Sequence, residues 1–523
     1  MNIAATRPRR TRLLARLLTG IAFIALAGCA TLEPRPPVPA QQALPVGDTT
    51  ALDRLIGSAE AAHPGESGFR LLRAGPEAFA VRARSVQLAE RSLDVQTYIW
   101  NADGTGTMLA WLILSAADRG VKVRLLVDDM DARNKNYVFA ALDAHPNIEV
   151  RMFNPFSSRT GTLAFVFEAI GSFERINRRM HNKTWIADNR VALVGGRNLG
   201  DEYFGASEHV NFTDLDFAMV GPVVRDASAS FDKYWNSDSA YPMATLVPAG
   251  TITPEALDTL RSQLSTRLEH ADESRYAEEL RRNDAVQRMV SGDWPMSWSA
   301  EYRFVSDDPA KVLGKKSGIG GSQVLEFLWP VLKETRTSLS VTSPYFVPGE
   351  AGTEAFVAIH HAGADVGILT NSLAANDVAM VYGGYSPSRK PLLEGGVKLW
   401  EMKPTPGKKV ESSMFGSSGA SLHTKALTAD HRATFVGSYN LDPRSTSLNC
   451  EQGVYVVSPE IAATMEQIFD VDTSPEHAWA LSLEDGDLRW SDGKTTYDSS
   501  PDASAGRRFQ AWLARVLGLD SQL

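Results

Sequence analysis

The sequence predicts an α/β protein of two similar domains, each with a mixed, mostly parallel sheet flanked by helices, and with one active site at their interface. Three observations predict this fold class. The chain has 523 residues, which is more than one ordinary hydrophobic core accommodates. Strand patterns alternate with helix patterns, as in β–α–β units with parallel strands. A set of polar residues occurs twice, which indicates a repeated domain.

The β–α–β order is visible in each half of the chain. The predicted elements are strand 93–100, helix 105–119 and strand 121–127, then helix 322–335, strand 338–342, helix 354–362, strand 365–370 and strand 396–401. Between the halves, residues 254–290 are charged and helix-forming, with no strand pattern. We therefore divide the chain into a signal peptide 1–28, a lipidated tether and linker 29–65, a first domain 66–248, a helical linker 249–318, a second domain 319–480 and a C-terminal tail 481–523.

The N-terminal segment is typical of exported bacterial proteins. Several arginines precede the apolar stretch 17–27, which is much shorter than the roughly 20 residues of a spanning helix. The stretch ends in Leu-Ala-Gly-Cys, which resembles a lipobox and makes Cys29 the candidate lipidation site. The alternative is a plain signal peptide with an incidental cysteine. Lipidation predicts a lipid-anchored protein of the bacterial cell envelope, at the outer membrane or the periplasmic face.

Two further segments bear on membrane contact. The proline-rich residues 34–45 predict an extended tether that holds the folded body off the membrane. The tail predicts an amphipathic helix over 508–519, which either docks on the body or lies on a membrane. Its apolar face consists of Phe509, Trp512, Leu513, Val516 and Leu517.

Composition excludes several classes of site. The formal net charge is −9, so the protein has no general attraction for a polyanion, and we expect no nucleic-acid partner. The only two cysteines are Cys29 and Cys450, which excludes a disulfide framework, and the spacings of a zinc site are absent. Catalysis must therefore use histidine, lysine, hydroxyl and carboxylate groups, or a metal ion held by oxygen ligands.

The repeated residues occur at the same offsets in both halves. After each histidine, lysine follows at +2, aspartate at +7, glycine at +14 and asparagine at +17. The two sets are His181, Lys183, Asp188, Gly195 and Asn198, and His423, Lys425, Asp430, Gly437 and Asn440. A single His-x-Lys pair occurs by chance in many chains, whereas a repeated five-point pattern is specific. A degenerate, non-catalytic repeat is the alternative, although neither copy has lost a polar member.

The pattern predicts phosphodiester chemistry. Histidine and lysine two apart on a strand point to the same face, so each copy places an imidazole and an ammonium in one site. One histidine attacks phosphorus and the other protonates the leaving alkoxide, while lysines replace a divalent metal, so we expect no metal or other cofactor. The candidate phosphate-binding residues are Asn198, Asn440, Gly195, Gly196 and Ser438. Asp188 and Asp430 complete the candidate catalytic set, but strand parity places them opposite the histidines and favours a structural role.

Each histidine also needs an acceptor that orients its ring. When the segments that end at Pro222 and Pro459 are aligned, Asp214 lies opposite Glu451. We therefore predict that Asp214 orients His181 and that Glu451 orients His423. Asp216 is the second candidate in the first half, and the alternative is that these carboxylates lie on the surface.

These motifs resemble the phospholipase D superfamily, whose signature is His-x-Lys-x4-Asp followed by a Gly-Gly/Ser-x-Asn element. The segments 370–378 and 437–445 resemble bacterial cardiolipin synthases of the lipoprotein-like C type. The resemblance implies ping-pong transfer through a phosphohistidine, with His181 as nucleophile and His423 as general acid. It further implies phosphatidylglycerol and phosphatidylethanolamine as substrates.

Other functions remain open at the level of sequence. A hydrolase of the same fold, either a phospholipase D or a nuclease-like phosphodiesterase, shares the covalent intermediate. A lipid-binding or scaffold lipoprotein is a non-enzymatic alternative, and an accessory protein partner is left open. A cleft lined by Tyr345, Phe346 and Tyr385 would favour lipid, whereas a long basic groove would favour nucleic acid.

Overall fold

The computed structural model describes residues 32–157, 173–272, 275–290, 294–376, 378–404 and 422–517. The predicted signal peptide and Cys29 lie outside these residues. Within them, every helix is too short or too polar to cross a bilayer.

Two β-sheets form the framework, one in each half of the chain. The strands are β1 Ser67–Leu72, β2 Ser92–Thr97, β3 Lys122–Asp128, β4 Ile148–Phe153, β5 Thr184–Ala187, β6 Val191–Gly195, β7 Asp216–Val220, β8 Ala240–Pro242, β9 Ser297–Ser299, β10 Tyr302–Ser306, β11 Ser338–Thr342, β12 Asp365–Asn371, β13 Lys398–Met402, β14 Ala426–Ala429, β15 Ala433–Gly437, β16 Gln452–Val457, β17 Ala478–Glu484, β18 Asp487–Ser491 and β19 Thr496–Tyr497. The strand order is β8-β4-β3-β2-β5-β6-β7-β1-β9 in the first sheet and β10-β16-β15-β14-β11-β12-β13-β17-β18-β19 in the second.

Helices cover the sheets and connect their strands. They are α1 Ala51–Ala62, α2 Gly75–Leu88, α3 Gly104–Asp118, α4 Asp129–Ala132, α5 Asn136–Asp143, α6 Phe173–Ile176, α7 Asp201–Phe204, α8 Pro222–Trp235, α9 Pro254–Asp272, α10 Arg275–Arg282, α11 Asp284–Val290, α12 Gln323–Glu334, α13 Gly349–His361, α14 Ala379–Tyr385, α15 Arg389–Glu394, α16 Pro443–Ser447, α17 Pro459–Asp472 and α18 Ala505–Leu517. Side-chain caps define several starts: Asp103 accepts from the Gly106 amide at 3.0 Å, and Ser322 accepts from the Leu325 amide at 3.1 Å.

The two sheets share one strand order, which confirms two similar α/β domains. The order β4-β3-β2-β5-β6-β7-β1 corresponds to β13-β12-β11-β14-β15-β16-β10. The expectation of mostly parallel sheets is wrong, because among the described strands only β2–β3–β4 and β11–β12–β13 pair in parallel. The strands that follow each histidine return through tight turns, so they form antiparallel hairpins.

The domain boundaries differ from those predicted. The segment assigned to a linker does contain helices α9 to α11, but its later part supplies β9 to the first sheet and β10 to the second. The assigned tail supplies β18 and β19 to the second sheet. Strands β9, β10 and β19 are the edge strands of their sheets, and β18 is next to the edge. Short strands there carry a weak hydrophobic pattern and are therefore hard to recognise in a sequence.

The described part of the N-terminal tether lies on the first domain instead of projecting from it. Arg35 donates to the Ala240 carbonyl at 2.7 Å, and the Gln41 amide donates to Asn236 at 3.0 Å. The Ala43 amide donates to Asp232 at 2.8 Å. The prediction of a free spacer is therefore wrong for these residues. Proline favours an extended backbone, and such a backbone pairs with groups of the body as readily as it spans solvent.

The motif aspartates hold turns far from the histidines. Asp188 accepts hydrogen bonds from the amides of Arg91 at 2.8 Å and Ser92 at 2.9 Å, at the start of β2. Asp430 accepts from the Thr337 amide at 2.7 Å, before β11. Each aspartate lies seven residues after its histidine, at the far end of the intervening strand β5 or β14, and a fully extended chain of that length spans about 23 Å at ~3.3 Å per residue. The prediction that Asp188 and Asp430 belong to the catalytic set is therefore wrong, because neither side chain reaches the histidines.

We expect the Asp188→Ala variant to unfold at a lower temperature than the wild type and to keep its catalytic rate. The substitution leaves the amides of Glu90, Arg91 and Ser92 without their acceptor, at a cost of about 3 kcal/mol since one unsatisfied donor costs ~1–3 kcal/mol. The midpoint of thermal unfolding should fall clearly, and Asp188→Asn, which keeps one acceptor oxygen, should lose less. The value of kcat, measured well below the midpoint, should stay close to that of the wild type. A large loss of kcat with an unchanged midpoint would contradict the structural role.

Candidate active site

The two histidine segments meet at the domain interface, where each pairs with the backbone of the other domain. The His181 amide donates to the Cys450 carbonyl at 2.9 Å, and the His423 amide donates to the Thr213 carbonyl at 2.8 Å. Apolar side chains of both sheets form one buried cluster beneath this contact, including Val194, Phe217, Ala426, Val436 and Val454. The two copies of the motif therefore share one rigid site.

Each histidine is oriented by a carboxylate of the opposite domain. His181 Nδ1 lies 3.0 Å from Glu451 Oε2, and His423 Nδ1 lies 2.6 Å from Asp214 Oδ2. Both carboxylates are fully buried. The predicted pairing of Asp214 with His181 and Glu451 with His423 is therefore wrong. The backbone contacts explain the exchange, because Thr213 and Cys450 directly precede the two carboxylates and bind the partner histidine segment.

Asp216, the second candidate in the first half, has a different partner. Its carboxylate accepts from Arg82 at 2.9 Å and lies 3.4 Å from Arg197. It is fully buried in this ion-pair network. Asp216 therefore supports the strand that carries the site and does not contact either histidine through its described bonds.

The small residues that follow β6 and β15, Gly196 and Ser438, lie against the carboxylates of Asp214 and Glu451. A Cβ atom on Gly196 would lie 2.2 Å from Asp214 Oδ1, so only glycine leaves room for that carboxylate. At the matching position, Ser438 Oγ donates to Glu451 Oε2 at 2.5 Å. The amides of Gly196 and Ser438 bond to strand carbonyls. The expectation that the backbone amides of Gly196 and Ser438 face a phosphate is therefore wrong, since both are already bonded to carbonyls of the neighbouring chain segment. Phosphate binding by Gly195 stays a prediction.

The two lysines lie beside the histidines but point back toward their carbonyls. Lys183 Nζ donates to the His181 carbonyl at 2.6 Å, and Lys425 donates to the His423 carbonyl at 2.5 Å. Both side chains are buried. Burial, together with repulsion from Lys425 and against the attraction of Glu451, lowers the pKa of Lys183 to about 7. The site therefore concentrates positive charge that an anionic ligand would stabilise.

The pKa values of the two carboxylates are shifted in opposite directions. Burial alone would raise the pKa of Glu451, but His181, Lys183 and the Ser438 hydroxyl hold it below its ordinary value. Burial raises the pKa of Asp214 despite Lys425 and Arg197. Glu451 is therefore the better-stabilised anion. Because an ionised carboxylate only accepts, the hydrogen of His181 lies on Nδ1, and its Nε2 has a free lone pair.

Both imidazoles are held neutral in the ligand-free site. Burial lowers the pKa of His181, with Glu451 opposing and Lys183 adding to the shift. Burial, with repulsion from Lys425, Lys183 and His181, lowers the pKa of His423 well below its ordinary value. A bound phosphate would counter the lysine charges and so raise both values.

The asparagines take different positions in the two halves. Asn198 Nδ2 donates to the Tyr203 hydroxyl at 2.9 Å, and its Oδ1 accepts from the Ile99 amide at 3.2 Å. Asn440 is buried, and its Oδ1 atom has no hydrogen-bond partner. Phosphate binding by these two residues remains a prediction.

Sequence reasoning missed the aromatic rings that contact the histidines. The Tyr98 ring lies 5.3 Å from His181, the Tyr203 ring lies 5.3 Å from His423, and Phe212 stacks on His423 at 5.6 Å. It named instead Tyr345, Phe346 and Tyr385, of which Phe346 and Tyr385 are buried in the second core and Tyr345 packs against Val347 and Val381. No repeat offset relates the true contacts, so the two-copy pattern could not identify them.

A further group of polar residues supports Glu451 and Lys183. Ser445 Oγ donates to Glu451 Oε1 at 2.9 Å. Gln452 Nε2 donates to the Lys183 carbonyl at 2.9 Å. The described residues contain no cluster of three or more histidine, cysteine or carboxylate side chains arranged to hold a metal ion. The arrangement offers a nucleophilic nitrogen, a second imidazole for proton transfer, and two ammonium groups beside them.

The crossed pairing predicts which carboxylate controls which histidine. The negative charge of Glu451 raises the pKa of His181, so Glu451→Gln should lower that pKa. His181 then stays neutral, and able to attack, down to a lower pH, and the acidic limb of the kcat/KM profile should move to lower pH. Asp214→Asn serves as the matched control and should leave that limb in place. Both should reduce kcat by about 10²-fold or more, because each ring loses its orienting anion. A shift of the limb in Asp214→Asn alone would contradict the crossed assignment.

Titration of Lys183 predicts a pH-dependent affinity. Its ammonium is charged below a pKa of about 7 and neutral above it, so KM for an anionic lipid should rise as pH increases through 7. In Lys183→Arg the guanidinium stays charged, so KM should vary less with pH even if its absolute value is higher. The measurement is KM from pH 6 to 9 for both proteins. Equal slopes in the two proteins would refute the assignment of this titration to Lys183.

The chain matches known proteins over most of its length. A family model described as "Cardiolipin synthase, PLD-like domain" matches residues 83–235 and 328–473. The chain is 39% identical to cardiolipin synthase C of Escherichia coli over 473 residues, which cover 88% of this chain and 96% of that protein. It is 32% identical to an uncharacterized protein of Helicobacter pylori over 414 residues, which cover 79% of this chain and 81% of that protein.

One solved structure shows the same fold over most of the chain. The phosphatidylserine synthase of Haemophilus influenzae superposes with a TM-score of 0.57 and covers 90% of this chain and 100% of that one, at 13% identity. This likeness extends to the two-domain architecture that brings the two histidine segments together. The chain, with its doubled histidine–lysine motif, belongs to the phospholipase D-like family of cardiolipin synthases.

Proposed function

We propose that this protein is a phosphatidyltransferase that makes cardiolipin from phosphatidylglycerol, with phosphatidylglycerol or phosphatidylethanolamine as the phosphatidyl donor. The observation that carries the proposal is the crossed pair of histidine–carboxylate contacts flanked by two lysines in one site. The 39% sequence identity to a protein named cardiolipin synthase C supports phospholipids as the substrate class.

In the first step, His181 Nε2 attacks the phosphorus of the donor. A nitrogen–phosphorus bond forms, the bond from phosphorus to the headgroup oxygen breaks, and His423 gives that oxygen a proton. His181 suits the nucleophile role because Glu451 is the better-stabilised anion and holds Nδ1 as the donor. The headgroup leaves as glycerol or ethanolamine, and the phosphatidyl group stays on His181.

In the second step, the hydroxyl of phosphatidylglycerol replaces the histidine. His423, now neutral, accepts the hydroxyl proton while the oxygen attacks phosphorus, and the nitrogen–phosphorus bond breaks. Cardiolipin leaves and both histidines return to their starting states. Water in place of the lipid hydroxyl would give phosphatidic acid, so exclusion of water from the site separates transfer from hydrolysis.

The charge of the site supports a reaction that needs no metal. Lys183 and Lys425 lie in the buried site, where an ammonium interacts with phosphate oxygens more strongly than it does in water. When the anionic phosphate binds, it opposes the lysine charges that lower the pKa of His423, and so favours the protonated acid that the first step requires.

We also propose that lipidation of Cys29 anchors the protein to the bacterial cell envelope, at the outer membrane or the periplasmic face. The support is the sequence around Cys29, in which small residues follow an apolar segment directly. An accessory protein that supplies lipid is compatible with this location.

The decisive assay uses purified protein and vesicles of phosphatidylglycerol, with and without phosphatidylethanolamine, in EDTA. We expect cardiolipin, together with glycerol from the first donor and ethanolamine from the second. His181→Ala and His423→Ala should each lower turnover by about 10³-fold or more, as does loss of one member of a catalytic unit. Phosphatidic acid without cardiolipin would identify a hydrolase, and loss of activity in EDTA would contradict the metal-free mechanism.

A covalent test assigns the nucleophile. Mass spectrometry of protein quenched during turnover should find the phosphatidyl group on the peptide that contains His181. The adduct should be absent from His181→Ala, and His423→Ala should form it slowly. Retention of turnover in His181→Ala would contradict the assignment, and lipid binding without turnover in the wild type would identify a binding protein.

A further inference from the structure

The C-terminal helix α18 is attached through its small side chains. Ala511 and Ala514 are buried against Gly383 of α14. A Cβ atom on Gly383 would lie 2.5 Å from the Ala511 carbonyl oxygen, so the two backbones are in close contact. Arg507 donates to the Leu373 carbonyl at 3.0 Å and fixes the rotation of the helix. The four described side chains of the predicted apolar face, Phe509, Trp512, Leu513 and Val516, are thus not the ones that dock on the body. The Leu517 side chain lies outside what the structure describes.

The large apolar side chains of α18 face solvent. Phe509 is 59% exposed, Trp512 52%, Leu513 37% and Val516 57%. At 100° per residue, Phe509 and Val516 lie opposite the two docked alanines. Met380 on α14 adds another exposed apolar side chain, at 38%. Exposed apolar groups clustered in this way mark an interaction surface in a soluble protein.

The charge of the helix indicates what this surface contacts. Residues 505–517 include Arg507, Arg508 and Arg515 and no acidic residue. Arg508 and Arg515 are exposed and lie together along one side of the apolar face. A short helix with tryptophan and phenylalanine on one face and arginine beside it is suited to the headgroup region of an anionic bilayer. Thirteen residues are too few to span the bilayer, so such a helix lies in its plane.

The position of α18 connects this surface with the active site. Val381 of α14 packs on Val347. The Val347 amide donates to the Leu441 carbonyl at 2.7 Å, and Leu441 directly follows the candidate phosphate-binding residue Asn440. The helix therefore lies at the end of the second sheet from which the site is built.

We propose that the outer face of α18 binds the surface of an anionic phospholipid bilayer and holds the active site against it. This contact is separate from any lipid on Cys29 and goes beyond the proposed transfer reaction. Arginines bind the lipid phosphates, while the four apolar side chains enter the interface. A second copy of the chain is the competing occupant, but the two exposed arginines on each copy, Arg508 and Arg515, would oppose such a pairing.

The test uses the full-length protein with vesicles of phosphatidylcholine and phosphatidylglycerol that carry brominated acyl chains. Brominated lipid should quench part of the tryptophan fluorescence, and Trp512→Phe should lose that part. Vesicles of brominated phosphatidylcholine alone should quench it less. Absence of any Trp512-dependent quenching, or quenching that is equal on neutral vesicles, would overturn the proposal.

Activity provides the second readout. Phe509→Ser combined with Val516→Ser should lower turnover of vesicle phosphatidylglycerol by about tenfold, through weaker interfacial binding. Turnover of a short-chain, monomeric phosphatidylglycerol should stay within about twofold of the wild type, since the catalytic groups are untouched. The matched control is Leu55→Ser combined with Tyr497→Ser, which removes exposed apolar groups elsewhere and should leave both activities unchanged.

The two substrates separate this proposal from the proposed function. If the wild type fails on both substrates, the transfer reaction is wrong, while Trp512 quenching still reports on the helix. If the serine variant loses both activities equally, or if it abolishes a dimer seen by size-exclusion chromatography without any Trp512 quenching, the membrane role of α18 is wrong.

Discussion

The hydrogen bonds that His181 and His423 form with carboxylates of the opposite domain are the interaction on which the rest of the site depends. Neither domain holds an oriented histidine by itself. The backbone bonds at Cys450 and Thr213, and the apolar cluster beneath them, fix the two domains in the one arrangement that completes both pairs. Precision at the reacting atoms therefore comes from the interface between two rigid sheets, which is a more exact support than a loop.

Burial gives this site its electrostatic character. Four groups that carry positive charge when protonated, two lysines and two histidines, lie within the interface with two fully buried carboxylates. Burial disfavours each isolated charge, so the pKa values of His181, Lys183 and His423 are all lowered. An anionic phosphate is the missing counter-charge. The positively charged groups are thus placed in the site by the fold itself, so little reorganisation is needed when an anionic ligand binds.

Residues that repeat were predictable from the sequence, and residues that do not repeat were not. The two histidine–lysine pairs follow from equal offsets in the two halves, as does the doubled α/β fold. The carboxylates were found, but not their partners, because spacing along one half contains no information on how the other half docks. Tyr98, Tyr203 and Phe212 surround the histidines at unrelated offsets, so no internal comparison identifies them. The antiparallel hairpins and the edge strands were not predicted for the same reason, because they are defined by which strands pair in the folded chain.

The unlike residues at Gly196 and Ser438 constrain how the two halves can diverge. Gly196 leaves the space that Asp214 fills, whereas Ser438 occupies that space and binds the longer Glu451. A change to serine at 196 would collide with Asp214, and a change to glycine at 438 would leave Glu451 without one of its donors. Each single substitution therefore disturbs the carboxylate beside it, and the physical remedy is a change of that carboxylate in the same half. The duplicated halves are therefore under pairwise epistasis, in which a side chain and the carboxylate beside it must be exchanged together.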